Sequence, residues 1–500
     1  MFKRSSGILM HISSLPGKYG IGDFGKSAYD FVDFLEKSNQ KLWQILPLGA
    51  TGYGDSPYQS FSAFAGNPYF IDLDQLVKDG YLREEDLEPL KKENIDGTID
   101  YEKLYKMRYE VLEKAYDTFL QKGNVEKVQK FRNKNLNWIE DYALYMALKK
   151  KFNGISWLEW PKEFRDRQKN TIKESKIKLQ ESMTYYIFLE FLFREHWLKL
   201  KNYANKKGIK IIGDIPIFVA TDSADTWTNT QMFQFDKKKN PKRVAGCPPD
   251  AFSKDGQLWG NILYNWKVME EDKFDWWIKR IKTCFNLYDI VRIDHFRGFE
   301  SYWSIPAKSK TAASGKWEKG PGIKLFNEIK RKLGVLPIIA EDLGFLTPKV
   351  HKLLKDSGYP GMKILEFAFD SREESDYLPH KYPYNSVAYT GTHDNLTVVG
   401  WYETVNETDR NFCDEYLSKF LKEIGGDIQE SINWKFIEAT WGSKSKMALA
   451  QMQDFLGLGI DARMNTPSTL GNNWTWRMKS NSLTEELAKK IENVTVKFKR

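Results

Sequence analysis

The sequence predicts a (β/α)8 barrel interrupted by large helical and loop insertions. Eight short apolar runs recur along the 500 residues, most of them closed by Gly, Pro or polar residues and followed by helix-like patterning. Carboxylates stand late on three of those runs. No Gly-rich phosphate fingerprint follows the first run, which leaves a doubly wound sheet as the second choice of fold.

The first run is 7–11, followed by a helical period through Tyr29, Val32 and Leu35 and a second run at 42–48. Residues 49–58 hold too many glycines for an element interior and predict a loop over a site. From 66 to 207 the chain is charged and mostly helical, which predicts an insertion between two strands. Ile139, Tyr142, Ala143 and Met146 share one helical face and Asn153-Gly154 is its stop; Leu189, Phe193, Trp197 and Leu200 share another, ended by Gly208. The third run, 210–217, carries Asp214 near its end. A loop-rich insertion over 218–285 follows, with a Gly-flanked segment at 246–260. The remaining runs are 290–297, 337–344, 361–369, 386–394 and 446–453, so that residues 1–500 make one catalytic barrel.

Composition excludes several classes. No run of eighteen apolar residues indicates a membrane span, and the apolar part of the N-terminus is too short for a signal peptide. Three scattered cysteines without metal-ligand spacing suit a reducing cytosol, so the expected location is cytoplasmic. The net charge of +9 comes from 76 basic against 67 acidic residues, a mixed surface. The basic run 237–243 therefore reads as a solvated loop and no nucleic-acid partner is expected. Aromatic content of 15%, with 17 Trp, feeds a large core and also suits a cleft that stacks sugar rings.

The fourth run, Ile-Val-Arg-Ile-Asp-His-Phe-Arg, holds the central question. Strand alternation puts Arg292 and Asp294 on one face. Such a pair is a structural ion pair or part of a site. Two further carboxylates at comparable strand ends, Glu341 on the fifth run and Asp394 on the seventh, favour the site, because barrel active sites lie at the C-terminal strand ends. Retaining cleavage of a glycosidic bond needs a carboxylate nucleophile and an acid/base carboxyl about 5–5.5 Å apart. Neighbouring strands about 4.8 Å apart can supply that. A cation such as Arg292 favours an ionised Asp294, while burial beside a carboxylate raises Glu341. Asp394 could bind sugar hydroxyls with His393 beside it.

Several motifs then carry a family resemblance nearly end to end: residues 4–16, 56–69, Gly-Asp-Ile-Pro-Ile at 213–217, Arg-Ile-Asp-His-Phe-Arg-Gly at 292–298, Ala-Glu-Asp-Leu-Gly at 340–344, Gly-Thr-His-Asp-Asn at 391–395 and Arg-Met-Asn-Thr-Pro at 463–467. In these the chain resembles the amylomaltases, 4-α-glucanotransferases related to the α-amylases. The resemblance implies Asp294 as nucleophile, Glu341 as acid/base and Asp394 as transition-state stabiliser. It also implies substrate contacts from Ser56, Tyr58, Asp214, Asp250, Gln257, Trp259, Arg292, His295, His393 and Asn465, with 246–260 as a loop arching over the cleft. It further implies α-1,4-glucan and maltooligosaccharide donors, glucose or maltooligosaccharide acceptors, no cofactor, no metal, and a barrel without a C-terminal β-sandwich. A hydrolase with the same acids, a Schiff-base aldolase using Lys363 and a non-catalytic glucan binder remain as alternatives. The sequence leaves the oligomeric state open.

Overall fold

A computed structural model describes residues 3–52, 54–91, 97–249, 254–344, 346–373 and 375–500. Twelve strands are present among them: β1 (Ser5–Leu9), β2 (Leu42–Gln44), β3 (Lys210–Ile215), β4 (Arg243–Cys247), β5 (Gln257–Ile262), β6 (Ile290–Ile293), β7 (Ser301–Pro306), β8 (Lys316–Lys319), β9 (Ile338–Ala340), β10 (Gly361–Ile364), β11 (Ser386–Tyr389) and β12 (Met447–Gln451). Eight of them pair in parallel in the order β10-β11-β12-β1-β2-β3-β6-β9. The open seam is bridged where the N–H of Ala340 donates to the carbonyl of Pro360 at 3.0 Å. These eight strands coincide with the eight apolar runs of the sequence, and the predicted (β/α)8 barrel is the fold.

The barrel interior follows from period two. Leu42, Ile212, Ile290, Ile339, Met362, Ile364, Val387, Tyr389, Met447 and Leu449 form one buried cluster. Residues of the same parity one step nearer the C-terminal strand ends are polar: Gln44, Asp214 and Arg292 are all buried. Tyr389 donates its hydroxyl to Gln44 at 2.7 Å, completing this layer. Lys363 has the opposite parity to Met362 and Ile364; its ammonium lies 5.0 Å from the ring of Tyr377 and not in the barrel mouth. A Schiff-base chemistry at that lysine loses its basis.

The antiparallel sheet β5-β4-β7-β8 is separate from the barrel. Its β7 and β8 follow Asp294, in a stretch the sequence did not mark as strand. Between β2 and β3 lie the helices Tyr101–Lys122, Ile139–Lys151 and Gln180–Lys206, the last followed by Gly208 at φ +77°. Leu189, Phe193, Trp197 and Leu200 on the long helix are buried in a core continuous with the barrel's outer face. No described helix is long and apolar enough to cross a membrane.

That long helix also fixes the chain that leads to the barrel mouth. Glu190 accepts from the N–H of Gly66 at 2.9 Å, Arg194 donates to the carbonyl of Phe64 at 2.5 Å, and His196 accepts from the N–H of Asp72 at 3.1 Å. Burial pushes the Glu190 carboxyl up to about 8, with the Arg194 guanidinium opposing. A carboxyl raised on folding stabilises the fold fully below its unfolded value near 4.5, and that stability is lost as pH rises through 8. Glu190→Gln keeps the acceptor for Gly66 and cannot ionise. Urea unfolding compared at pH 5 and pH 9 should show the wild type losing on the order of 3–5 kcal/mol more than the variant between those points.

Candidate active site

Register builds the centre of the site. Asp214 on β3 lies opposite Arg292 on β6, and both point into the barrel. One guanidinium nitrogen, Nη1 of Arg292, donates to both carboxylate oxygens of Asp214 at 2.7 Å and to Asp294 at 3.1 Å. Arg292 is held charged by these carboxylates against the cost of its burial. The cation that the sequence paired with Asp294 therefore belongs first to Asp214. One nitrogen makes all three contacts, so the guanidinium does not meet either carboxylate as a two-nitrogen fork. Burial pushes the Asp294 carboxyl well above the usual range; Arg292 opposes this, while Glu341, Asp214 and Asp394 add to it. The Asp294 side chain keeps 27% exposure, so it is open to the cleft.

Glu341 follows β9 directly. Its carboxylate accepts from the N–H of His295 at 2.5 Å and from the N–H of Leu343 at 3.1 Å. The main chains are tied as well: Phe296 N–H to the Glu341 carbonyl at 2.9 Å, and Glu341 N–H to the Ile293 carbonyl at 3.1 Å. His295 stands in the left-handed region at φ +50°, a conformation that directs its N–H toward Glu341 immediately after Asp294. Burial raises the Glu341 carboxyl, opposed by Arg292 and the two backbone donors, with Asp394 adding to the rise. Asp294 and Glu341 thus sit at the ends of adjacent strands, both holding protons more firmly than free carboxylates.

Asp394 stands on the turn after β11. Its carboxylate accepts from Asn465 Nδ2 at 2.6 Å, and its main-chain carbonyl accepts from Arg463 at 2.7 Å. His393 Nε2 is 3.4 Å from the same carboxylate. Burial lowers the His393 imidazole, so the ring is neutral at neutral pH. The ring stacks on Tyr58 with centroids 5.2 Å apart, and Trp474 packs against both. Tyr58 in turn donates its hydroxyl to Asp214 at 2.8 Å.

Most of the expected site residues thus fall into one connected group. Tyr58, Asp214, Arg292, Asp294, His295, Glu341, His393, Asp394 and Asn465 are joined through the contacts above. Trp259 meets them edge-on at His295, centroids 4.8 Å apart, and donates its indole N–H to Gln257 at 3.0 Å. Ser56 joins the group by accepting from the N–H of Tyr58 at 3.3 Å. Asp250 and the following residues to 253 lie outside the described residues. Within 246–260, Cys247 closes β4 and Gln257–Trp259 belong to β5, so the flanks are sheet.

Four contributors were missed in the sequence. Gln59 donates to the carbonyl of Trp259 at 3.2 Å and to Asn261 at 2.8 Å, joining the 49–60 loop to β5. Trp474 and Arg463 lie beyond the last strand, where periodicity gives no signal. Glu366, one step past β10, did carry a signal: it has the inward parity of Met362 and Ile364. Among the described residues no cluster of three or more His, Cys, Asp or Glu could hold a metal ion.

A sequence profile described as 4-alpha-glucanotransferase matches residues 10–484. A 4-alpha-glucanotransferase of Clostridium butyricum is 53% identical over 488 residues, covering 97% of this chain and 99% of the relative. Another from Streptococcus pneumoniae is 51% identical over 501 residues, covering 100% and 98%. In solved structures, an amylomaltase from Streptococcus agalactiae in complex with acarbose superposes with a TM-score of 0.95 at 42% identity, each chain covered completely.

Because a single nitrogen of Arg292 serves Asp214 and Asp294 together, Arg292→Lys separates the two. The lysine chain is one bond shorter and keeps a cation beside Asp214 but does not span to Asp294. Activity should fall on the order of 10²-fold, with unfolding free energy lowered by about 1–2 kcal/mol, because the cation beside Asp214 remains. A larger loss of stability than of activity would mark the pair as structural.

Proposed function

The chain belongs to the 4-alpha-glucanotransferase family, and from that premise we propose that it moves α-1,4-glucan segments between maltooligosaccharides or starch chains by a retaining double displacement. The observation that carries this reading is the convergence of Asp294, Glu341 and Asp394 at one barrel mouth above the Asp214–Arg292 pair.

In the first half-reaction the carboxylate of Asp294 attacks the anomeric carbon of the donor. The bond from that carbon to the 4-oxygen of the leaving chain breaks, and Glu341 gives its proton to that oxygen. The glucosyl segment is left as an ester on Asp294. In the second half-reaction Glu341, now a carboxylate, takes the proton from the 4-hydroxyl of an acceptor, whose oxygen displaces Asp294 and restores the linkage with its original configuration. Glu341 suits the acid role because burial raises it. Asp294 suits the nucleophile because Arg292 Nη1 lies 3.1 Å from its carboxylate and favours the charged form against the burial that opposes it. Two backbone N–H groups wait for the carboxylate form of Glu341.

Asp394 takes the role of stabiliser, its negative charge facing the cationic ring of the transition state while Asn465 holds its orientation. Tyr58 and neutral His393 offer stacked faces and polar edges for the glucose at the cleavage point. A transferase must keep water from the ester. Trp259 on β5, braced by Gln257, Gln59 and His295, supports the 246–260 segment as the cover on the acceptor side.

Incubation with maltotriose should yield glucose together with chains longer than the substrate; products no longer than maltotriose would indicate a hydrolase. Glu341→Gln should lower turnover of unactivated glucans by about 10²- to 10⁴-fold while an α-glucosyl fluoride still loads Asp294; failure to load would undo the role given to Glu341. Trp259→Ala should raise the share of hydrolysis, read as free reducing ends formed per chain transferred. An unchanged ratio would remove that residue from the cover.

A further inference from the structure

Behind Asp394 the mouth contains a fifth strand-end carboxyl that the double displacement does not use. Glu366 follows β10 at the inward parity, and it is bound twice to the end of β11. Its N–H donates to the Thr390 carbonyl at 3.1 Å, and its Oε1 accepts from Asn395 Nδ2 at 3.1 Å. Asn395 passes the constraint on. Its Oδ1 accepts from the N–H of Thr392 at 2.9 Å and from the Thr392 hydroxyl at 2.9 Å, and Thr392 Oγ1 accepts from the N–H of Asp394 at 3.4 Å. A buried amide whose two ends are both engaged has one orientation, and here it spans the turn that presents His393 and Asp394.

Other side chains hold the same turn from the opposite side. Asp454 accepts from the Thr390 hydroxyl at 2.6 Å and from the N–H of Val398 at 2.8 Å, while Gln451 donates to the carbonyl of Leu396 at 3.2 Å. Those contacts fix the ends of the segment 390–398. The Glu366–Asn395 bond fixes its middle. The carboxylate of Asp394 keeps 45% exposure and, among the described residues, has only Asn465 as a hydrogen-bonding side-chain partner, so its aim depends on the backbone beneath it.

We propose that Glu366 is a positioning residue for the reaction: through Asn395 it sets the turn that aims Asp394 at the reacting sugar. The inference rests on the stabilising role given to Asp394 above. Burial pushes the Glu366 carboxyl up to about 8, with Asp454 adding to the rise and Asn395 and Arg463 opposing it. A neutral group that accepts one hydrogen bond from Asn395 is what a glutamine can imitate.

The test is steady-state kinetics on maltotriose, with thermal unfolding measured alongside. Glu366→Ala should lower kcat on the order of 10- to 100-fold through misplacement of Asp394, with KM within about twofold of wild type. Glu366→Gln should recover kcat to within about threefold of wild type. Where E366A is too unstable to assay, Asn395→Ala breaks the same link from its other end and should show the same kcat loss. In the double variant the two losses should not add. Wild-type kcat in E366A or N395A, a raised KM at constant kcat, or E366Q as inactive as E366A would each overturn the proposal. Asp394→Asn separates the premise from the inference. If D394N retains wild-type kcat, the stabilising role fails; if it loses activity and E366A does not, the positioning role fails.

Discussion

Everything in the barrel mouth depends on one buried cation. Arg292 is 3% exposed, and the polar layer around it cannot be dismantled piecemeal. Asp214 is wholly buried and needs that guanidinium; Tyr58 reaches the same carboxylate from the 49–60 loop; Asp294 takes the cation's remaining reach toward the cleft. Removing a single partner of such a group leaves charge without compensation, which costs far more than the pair contributes when intact. The layer below it is almost wholly apolar, so the site has a firm floor and a charged surface above it.

From that centre the site spreads outward in two chains of contact. One runs through His295 to Glu341 and, by ring contact, to Trp259, Gln257 and Gln59 on the four-stranded sheet. The other runs from Tyr58 across its stack with His393 to Trp474, Asp394 and Asn465 beyond the last strand. The 49–60 loop belongs to both, because Tyr58 serves one and Gln59 the other. The helical insertion contributes at a distance, holding the chain at Phe64, Gly66 and Asp72 so that the loop before them has a fixed base.

Much of this was legible in the sequence because two signals are local. Short apolar runs marked all eight barrel strands, and period two put Arg292 with Asp294; helical spacing and Gly208 bounded the long helix. What was lost is non-local. Asp214 and Arg292 are 78 residues apart, and only the register of β3 against β6 makes them partners. The hairpin β7–β8 was missed because its strands carry Lys, Trp and Ser and lack the apolar runs that mark buried strands. Trp474 and Arg463 sit on irregular chain, where no period exists to read. Glu366 is the instructive miss, since the parity that selected Asp294 applies to it equally.

The left-handed turn at His295 has a consequence for timing. A non-glycine residue at φ +50° costs about 1 kcal/mol or more, and here it aims a backbone N–H at Glu341. A fixed dipole of that kind binds an anion better than an acid. On the proposed cycle Glu341 is an acid only while it waits for a donor, and an anion for the whole life of the ester. The bent backbone therefore favours the half-finished state over the resting one. An enzyme tuned in this way lingers with a glucan chain in hand, which is the condition under which a scarce sugar hydroxyl can compete with abundant solvent.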